Sequence, residues 1–237
     1  INVTGAATIN SILAGTAGLT KAGAGTLSLN GANTFSGGVV VNTGGLALNG
    51  DSALGAAGNG VTMASGTNLS STGALATSRN ITLAGGSVLL SGAGVGSARF
   101  TGAGGLRLNS GVSLTNAASN YTGATIFGNG NGGSFSFNSI ADLGVASSLG
   151  APTTVANGTI TLGSGGGVGA TLSYFGAGSS SNRNWQLNAA GTVAPLTFRN
   201  VGTGTLTLTG NMVVSGGSTY GTNFFASSGD MSLLGII

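Results

Sequence analysis

The stretch Leu19 to Leu48, LTKAGAGTLSLNGANTFSGGVVVNTGGLAL, constrains this chain most, because it holds three short alternating apolar runs separated mainly by Gly, Asn, Ser and Thr. In Thr26–Leu29, Val39–Val41 and Leu46–Leu48, successive side chains of an extended backbone point to opposite faces, so each run makes a strand with one apolar face. None of the runs exceeds four residues. A strand or hairpin that short buries too little apolar surface to stand alone. The runs are therefore predicted to stack on copies of themselves.

The rest of the chain supplies those copies. Ile1 to Leu19 reads as one or two short strands around Val3, Ile9 and Leu13. Asn49-Gly50-Asp51 is a turn signal, since Asn and Gly tolerate positive φ. Alternation resumes at Val61-Thr62-Met63. A longer self-similarity follows: Ser78-Arg79-Asn80-Ile81-Thr82-Leu83 returns as Asn182-Arg183-Asn184-Trp185-Gln186-Leu187, 104 positions later. Ser52-Ala53-Leu54-Gly55 has its counterpart in Ser147-Ser148-Leu149-Gly150, and Asn33-Thr34-Phe35-Ser36-Gly37 recurs as Ser119-Asn120-Tyr121-Thr122-Gly123. Within these modules, apolar anchors at Leu27, Leu46, Val61, Ile81, Leu106, Phe135, Ile160, Trp185 and Leu206 recur about every 22 residues, close to one turn of a parallel β-helix. Three steps of 25, from Ile81 to Leu106, Phe135 to Ile160 and Ile160 to Trp185, support a rung. The expectation is one all-β solenoid domain over 1–237, with about 20–25 residues per coil and modules at 1–83, 84–187 and 188–237.

The run Leu19-Thr20-Lys21-x-Gly23-x-Gly25-Thr26-Leu27-x-Leu29, then Asn33-x-Phe35-x-Gly37-Gly38-x-x-Val41 and Gly45-x-x-Leu48, resembles the autotransporter-associated β-strand repeat, or passenger-associated transport repeat. The later copies in this chain are degenerate. The resemblance implies a right-handed parallel β-helix of the kind found in bacterial type V secretion passengers and other large surface proteins, where it forms stalks or adhesive rods. It is specific for the repeat and implies no particular activity.

Composition removes the main rivals. Gly accounts for 49 of 237 residues, Pro for 2, and charged residues for 4%, against roughly 7% Gly and 25% charged in ordinary domains. Disorder pairs low hydrophobicity with high net charge, whereas this chain is 41% hydrophobic with a net charge of +3. Collagen needs a strict three-residue glycine period and abundant proline. No apolar run approaches the roughly 18 residues of a membrane helix. The alternating runs are also about half the 9 to 11 residues of a membrane β-barrel strand. Cysteine is absent, which excludes disulfides and thiolate metal sites. The chain starts at Ile1 with no charged and apolar leader, so it is expected to be a mature or excised fragment.

Chemistry is scarce. There is no His and no Glu, and the only carboxylates, Asp51, Asp142 and Asp230, lie about 90 residues apart. A nucleophile triad lacks its base. Paired-carboxylate hydrolysis would need aspartates that stand several coils apart. The expectation is a non-enzymatic protein with no catalytic, cofactor-binding or metal residues, its aspartates serving as turn residues. Gly128-x-Gly130-x-x-Gly133 matches a dinucleotide fingerprint in form only, because no helix pattern follows it. The cations Lys21, Arg79, Arg99, Arg107, Arg183 and Arg199 form no run, which argues against a nucleic-acid groove. They suit corners and protected strand edges, with Arg79 and Arg183 as candidates for an edge that contacts an anionic cell-surface glycan. Phe35, Tyr121, Tyr174, Phe175 and Trp185 are expected in the rung core.

The reading that results is an extracellular rod, stalk or fibre on a bacterial surface. No polar cap is visible at Ile1 or in Leu233-Leu234-Gly235-Ile236-Ile237, which predicts a piece of a longer rod or head-to-tail assembly of copies. A glycan- or ice-binding face is the second class, with Thr205-x-Thr207-x-Thr209 as its candidate array. A polysaccharide-acting enzyme is the third, and no membrane insertion is expected.

Overall fold

The computed structural model describes residues 1–128, 132–163, 169–188, 195–215 and 222–235. These wind into a parallel β-solenoid of about nine turns with about 23 residues per turn. A ten-stranded sheet forms the continuous wall, from Ala6–Ile9 through Thr26–Leu29 and Gly45–Leu48 to Trp185–Asn188 and Met212–Ser215. In the N-terminal half a five-stranded sheet completes each coil, with strands Leu19–Lys21, Val39–Val41, Val61–Met63, Asn80–Leu83 and Arg99–Gly102. In the C-terminal half the coils carry a second five-stranded sheet, which follows the wall strand in each coil, and a three-stranded sheet, which precedes it as the first five-stranded sheet does. The former runs Ser113–Leu114, Gly133–Phe137, Ala170–Tyr174, Leu196–Asn200 and Thr222–Ala226, and the latter Ser179–Ser181, Leu206–Leu208 and Met231–Leu233. No described helix is long and apolar enough to cross a membrane.

The strands follow the alternation closely. Thr26–Leu29, Val39–Val41 and Val61–Met63 have the bounds of the apolar runs, and the third run extends by one residue to Gly45. The opening segment forms the strand Ala6–Ile9, with Val3 buried and Ile9 and Leu13 packed against the core. Stacking in register then builds an interior column: Leu27, Leu46, Leu69, Leu90, Leu108, Phe127, Leu162 and Leu187 sit one above another, all at most 1% exposed. Each such side chain contributes roughly 1.5 to 3 kcal/mol when fully buried, but only because the coils above and below cover it. In the C-terminal half the column thickens with aromatics: Phe137 lies between Tyr174, Trp185 and Phe198, and the Trp185 and Phe198 rings approach to 4.9 Å.

The glycines of the repeat are explained by the approach of neighbouring coils. Gly23 has φ 81°, a left-handed conformation that a side chain disfavours. At Gly25 a Cβ would collide with the Gly5 carbonyl of the preceding coil, and at Gly37 with the backbone of Gly18.

Two features of the periodicity need correction. The apolar anchors chosen from the sequence fall on four different sheets. Leu27, Leu46, Leu106, Ile160 and Trp185 lie on the ten-stranded wall, Val61 and Ile81 on the facing sheet, Phe135 on the second five-stranded sheet, and Leu206 on the three-stranded one. Of the three 25-residue steps only Ile160 to Trp185 is a register pair, because Ile81 stacks on Val61 and Phe100, and Phe135 on Leu172. The true steps are uneven, 18 residues from Leu90 to Leu108 and 35 from Phe127 to Leu162. Extra residues leave the column undisturbed because they loop out at corners, as does the segment that carries the short helix Val155–Gly158.

Leu69→Ala is expected to cost about 2 to 5 kcal/mol, the range for emptying a closed core site, and Gly25→Ala about 1 to 3 kcal/mol through backbone collision. Urea denaturation followed by far-ultraviolet circular dichroism measures both. A change at Gly25 below about 0.5 kcal/mol, the size of a neutral surface substitution, contradicts the close-approach account.

Candidate binding faces

Two arginines that the sequence places at matching positions turn out to be interior. Arg79 sits at the corner before Asn80–Leu83 and is 1% exposed. Its Nε and Nη2 donate to Asp51 Oδ1 at 2.9 Å and Oδ2 at 2.6 Å, and its Nη1 donates to the carbonyls of Ala56 and Asn59, both at 2.8 Å. The Ala76 amide also donates to Asp51 Oδ1. Arg183, before Trp185–Asn188 and equally buried, donates from Nε to the Gly158 carbonyl at 2.8 Å and from Nη1 to that of Leu149 at 2.7 Å. Each side chain reaches from its own coil into the corner loop of the coil before it. The strand that follows each arginine stacks on the strand that follows that loop, Ile81 on Val61 and Trp185 on Ile160. The guanidinium thus satisfies carbonyls that a strand ladder cannot reach.

The long repeat is therefore a repeat of loop plus arginine rather than of sheet position, since Asn80–Leu83 and Trp185–Asn188 belong to different walls. A second packing detail agrees. A Cβ at Gly55 would meet the Phe35 carbonyl and ring, and one at Gly150 would meet those of Tyr121.

The electrostatics of the two copies differ. The hydrogen bond from Arg79 holds the Asp51 carboxyl below the usual carboxylate range. Arg183 has no carboxylate partner, and burial lowers its guanidinium to about 10 while raising the neighbouring Tyr121 phenol to about 12. The expected exposed edge of Arg79 and Arg183 is thus overturned, as these groups bind their own chain's carbonyls. Lys21 is likewise buried at an inward strand position, where its Nζ donates to the Gly23 and Thr43 carbonyls. Corner solubility is consequently no role for these three.

The aspartates act locally. Asp51 pairs with Arg79, Asp142 Oδ1 accepts from the Asn182 amide at 2.8 Å, and the Asp230 carbonyl accepts from Leu206 and Asn200. The Asp51 pairing was invisible in the sequence, which sets the partners 28 positions apart and gives no hint of which loop lies under which coil. Among the described residues no three groups of metal-binding type gather. Gly130 of the dinucleotide-like pattern lies outside the described residues, and a strand, Gly133–Phe137, follows it.

The outer faces carry hydroxyls. On the N-terminal five-stranded sheet the outward column is Thr20, Val40, Thr62, Thr82 and Thr101, with the last two hydroxyls 3.3 Å apart. This column runs across coils and so leaves no mark within any single strand. A strand such as Leu19–Lys21 or Val61–Met63, with its two end residues buried, offers one outward position, so the threonines make one file and no flat two-file array. Thr207 stacks with Ser180 and Ser232 rather than with other threonines. On the ten-stranded wall, Ser28, Ala47 and Ser70 floor a shallow groove of about 360 Å³ bordered by Asn30, Asn49 and Thr72. Phe35, Tyr121, Tyr174 and Trp185 are core, as expected, but Phe175 is 39% exposed. Ile236 and Ile237 lie outside the described residues.

Comparison with known proteins agrees with this architecture. Residues 19–48 match the Passenger-associated-transport-repeat family model. Over 237 residues, 98% of its length, the chain is 51% identical to the adhesin BmaC autotransporter of Brucella suis biovar 1 (strain 1330). It spans 7% of the length of that curated relative. No solved structure matches the chain.

Removing the guanidinium in Arg79→Met is expected to cost about 3 to 5 kcal/mol, since it strands a carboxylate and two carbonyls. The pH dependence has a definite sign. A depressed carboxyl pKa stabilises the fold above the ordinary value of about 3.9, and that contribution is lost as pH falls through the still lower folded value. The stability gap between wild type and Asp51→Asn should be flat above about pH 5 and close in stronger acid, as measured by denaturant titration at each pH.

Proposed function

Since the chain carries a passenger-associated transport repeat within a parallel solenoid, we propose that it serves as a stiff, non-enzymatic segment of a secreted or cell-surface adhesin, holding binding faces away from the cell that displays them. The observation that carries this reading is the continuous interior column from Leu27 to Leu187. Its backbone hydrogen bonds run coil to coil, along the rod axis, so bending the rod or separating coils must open several ladders together. The similarity to an autotransporter adhesin supports the surface role. The scarcity of titratable groups on the outer faces favours attachment over catalysis.

Growth of such a rod is read here as covalent, within one longer chain, and the modules 1–83, 84–187 and 188–237 as duplications inside a single domain. Sedimentation of the isolated chain as a monomer at high concentration fits this reading. Concentration-dependent filaments would replace it with head-to-tail assembly of copies.

Nine coils at about 4.8 Å per inter-strand step give about 43 Å of rod. Deleting this segment from the full-length surface protein should shorten the displayed stalk by roughly that amount in electron cryotomography of whole cells. An unchanged stalk length would overturn the spacer role.

A further inference from the structure

Resting on the adhesive reading above, we propose that the outer face of the second five-stranded sheet is a binding site for an acidic glycan, with Arg199 as the carboxylate anchor and Phe175 and Phe225 as flanking stacking surfaces. The outward column of this sheet is Ser113, Ser136, Ser173, Arg199 and Phe225, set one above another by the parallel register. Arg199 is exposed, between inward Phe198 and Asn200, and makes no ion pair among the described residues. It thus differs from Arg79 and Arg183, which are buried and donate to carbonyls of their own chain. Phe225, its register partner, is 53% exposed, and Phe175, two positions along from its other partner Ser173, is 39% exposed. Beside them lies an open groove of about 390 Å³ lined by Ser134, Ser136, Ser173, Phe175 and Val201.

The chemistry of this face selects its occupant. A guanidinium binds a carboxylate through paired N–H donors. Serine hydroxyls both donate and accept, as sugar hydroxyls require, and exposed aromatic rings pack against the apolar face of a pyranose. No carboxylate stands on the strands of this sheet to repel an anion. A peptide is less well served, because Ala170–Tyr174 and Leu196–Asn200 are paired on both edges and leave no ladder for strand addition.

Hexagalacturonate, titrated against the full 237-residue chain by calorimetry, is the probe, with neutral maltohexaose and a hexa-aspartate peptide beside it. Saturable binding of the uronate is expected, with Arg199→Gln and the neutral sugar each weaker by about tenfold or more. Phe175→Ala should weaken it severalfold, and Arg107→Gln, which removes the same charge from the ten-stranded wall, should leave it unchanged. No saturable uronate binding, equal binding of the neutral sugar or the peptide, or equal loss in Arg107→Gln would each overturn the site. Beads coated with the chain and settled on cultured cells separate the two ideas. Adhesion that survives Arg199→Gln overturns this site and keeps the adhesive role, whereas uronate binding without bead adhesion keeps the site and overturns that role.

Discussion

Everything in this molecule depends on parallel pairing between successive coils, which places like residues over like. No strand here is long enough to bury its own apolar face, and no coil has a core of its own. Leu27 is interior because Leu46 covers it, and Leu46 because Leu69 does. The glycines at Gly25 and Gly37 belong to the same constraint, since they let backbones of neighbouring coils touch where a side chain would hold them apart.

That pairing also creates the main polar problem of the fold. At corners, where the chain leaves the ladder, carbonyls turn inward with no strand opposite them. Buried side chains of the same or an adjacent coil answer it. Arg79 and Arg183 each bridge two carbonyls of the coil below, Lys21 bridges Gly23 and Thr43, and Asn59 Nδ2 donates to Phe35 and Leu54. A basic isoelectric point thus coexists with few exposed charges, because half of the cations act as internal fasteners.

The strands were legible because alternation is a local property: Val39–Val41 and Val61–Met63 announce themselves within three residues. The identity of each strand's neighbour was not, because uneven corner loops change the step from 18 to 35 residues without leaving a mark in the alternation. The apolar anchors therefore alternate between walls, as from Leu46 to Val61 and from Leu106 to Phe135. The pairing of Asp51 with Arg79 and the threonine file across coils failed to show for the same reason. The residue type of Phe175 points to the core, and the structure exposes it because it follows the inward Tyr174 at the end of its strand.

The two flanks of the ten-stranded wall govern how such a rod can diversify. The ten-stranded sheet runs through both halves, while the flank before it in each coil carries a threonine file in the N-terminal half and the flank after it carries serine, arginine and phenylalanine in the C-terminal half. One spine therefore supports two flanks whose surface chemistry can drift separately, so a lineage can retune one docking region without rewriting the thread that holds the coils together.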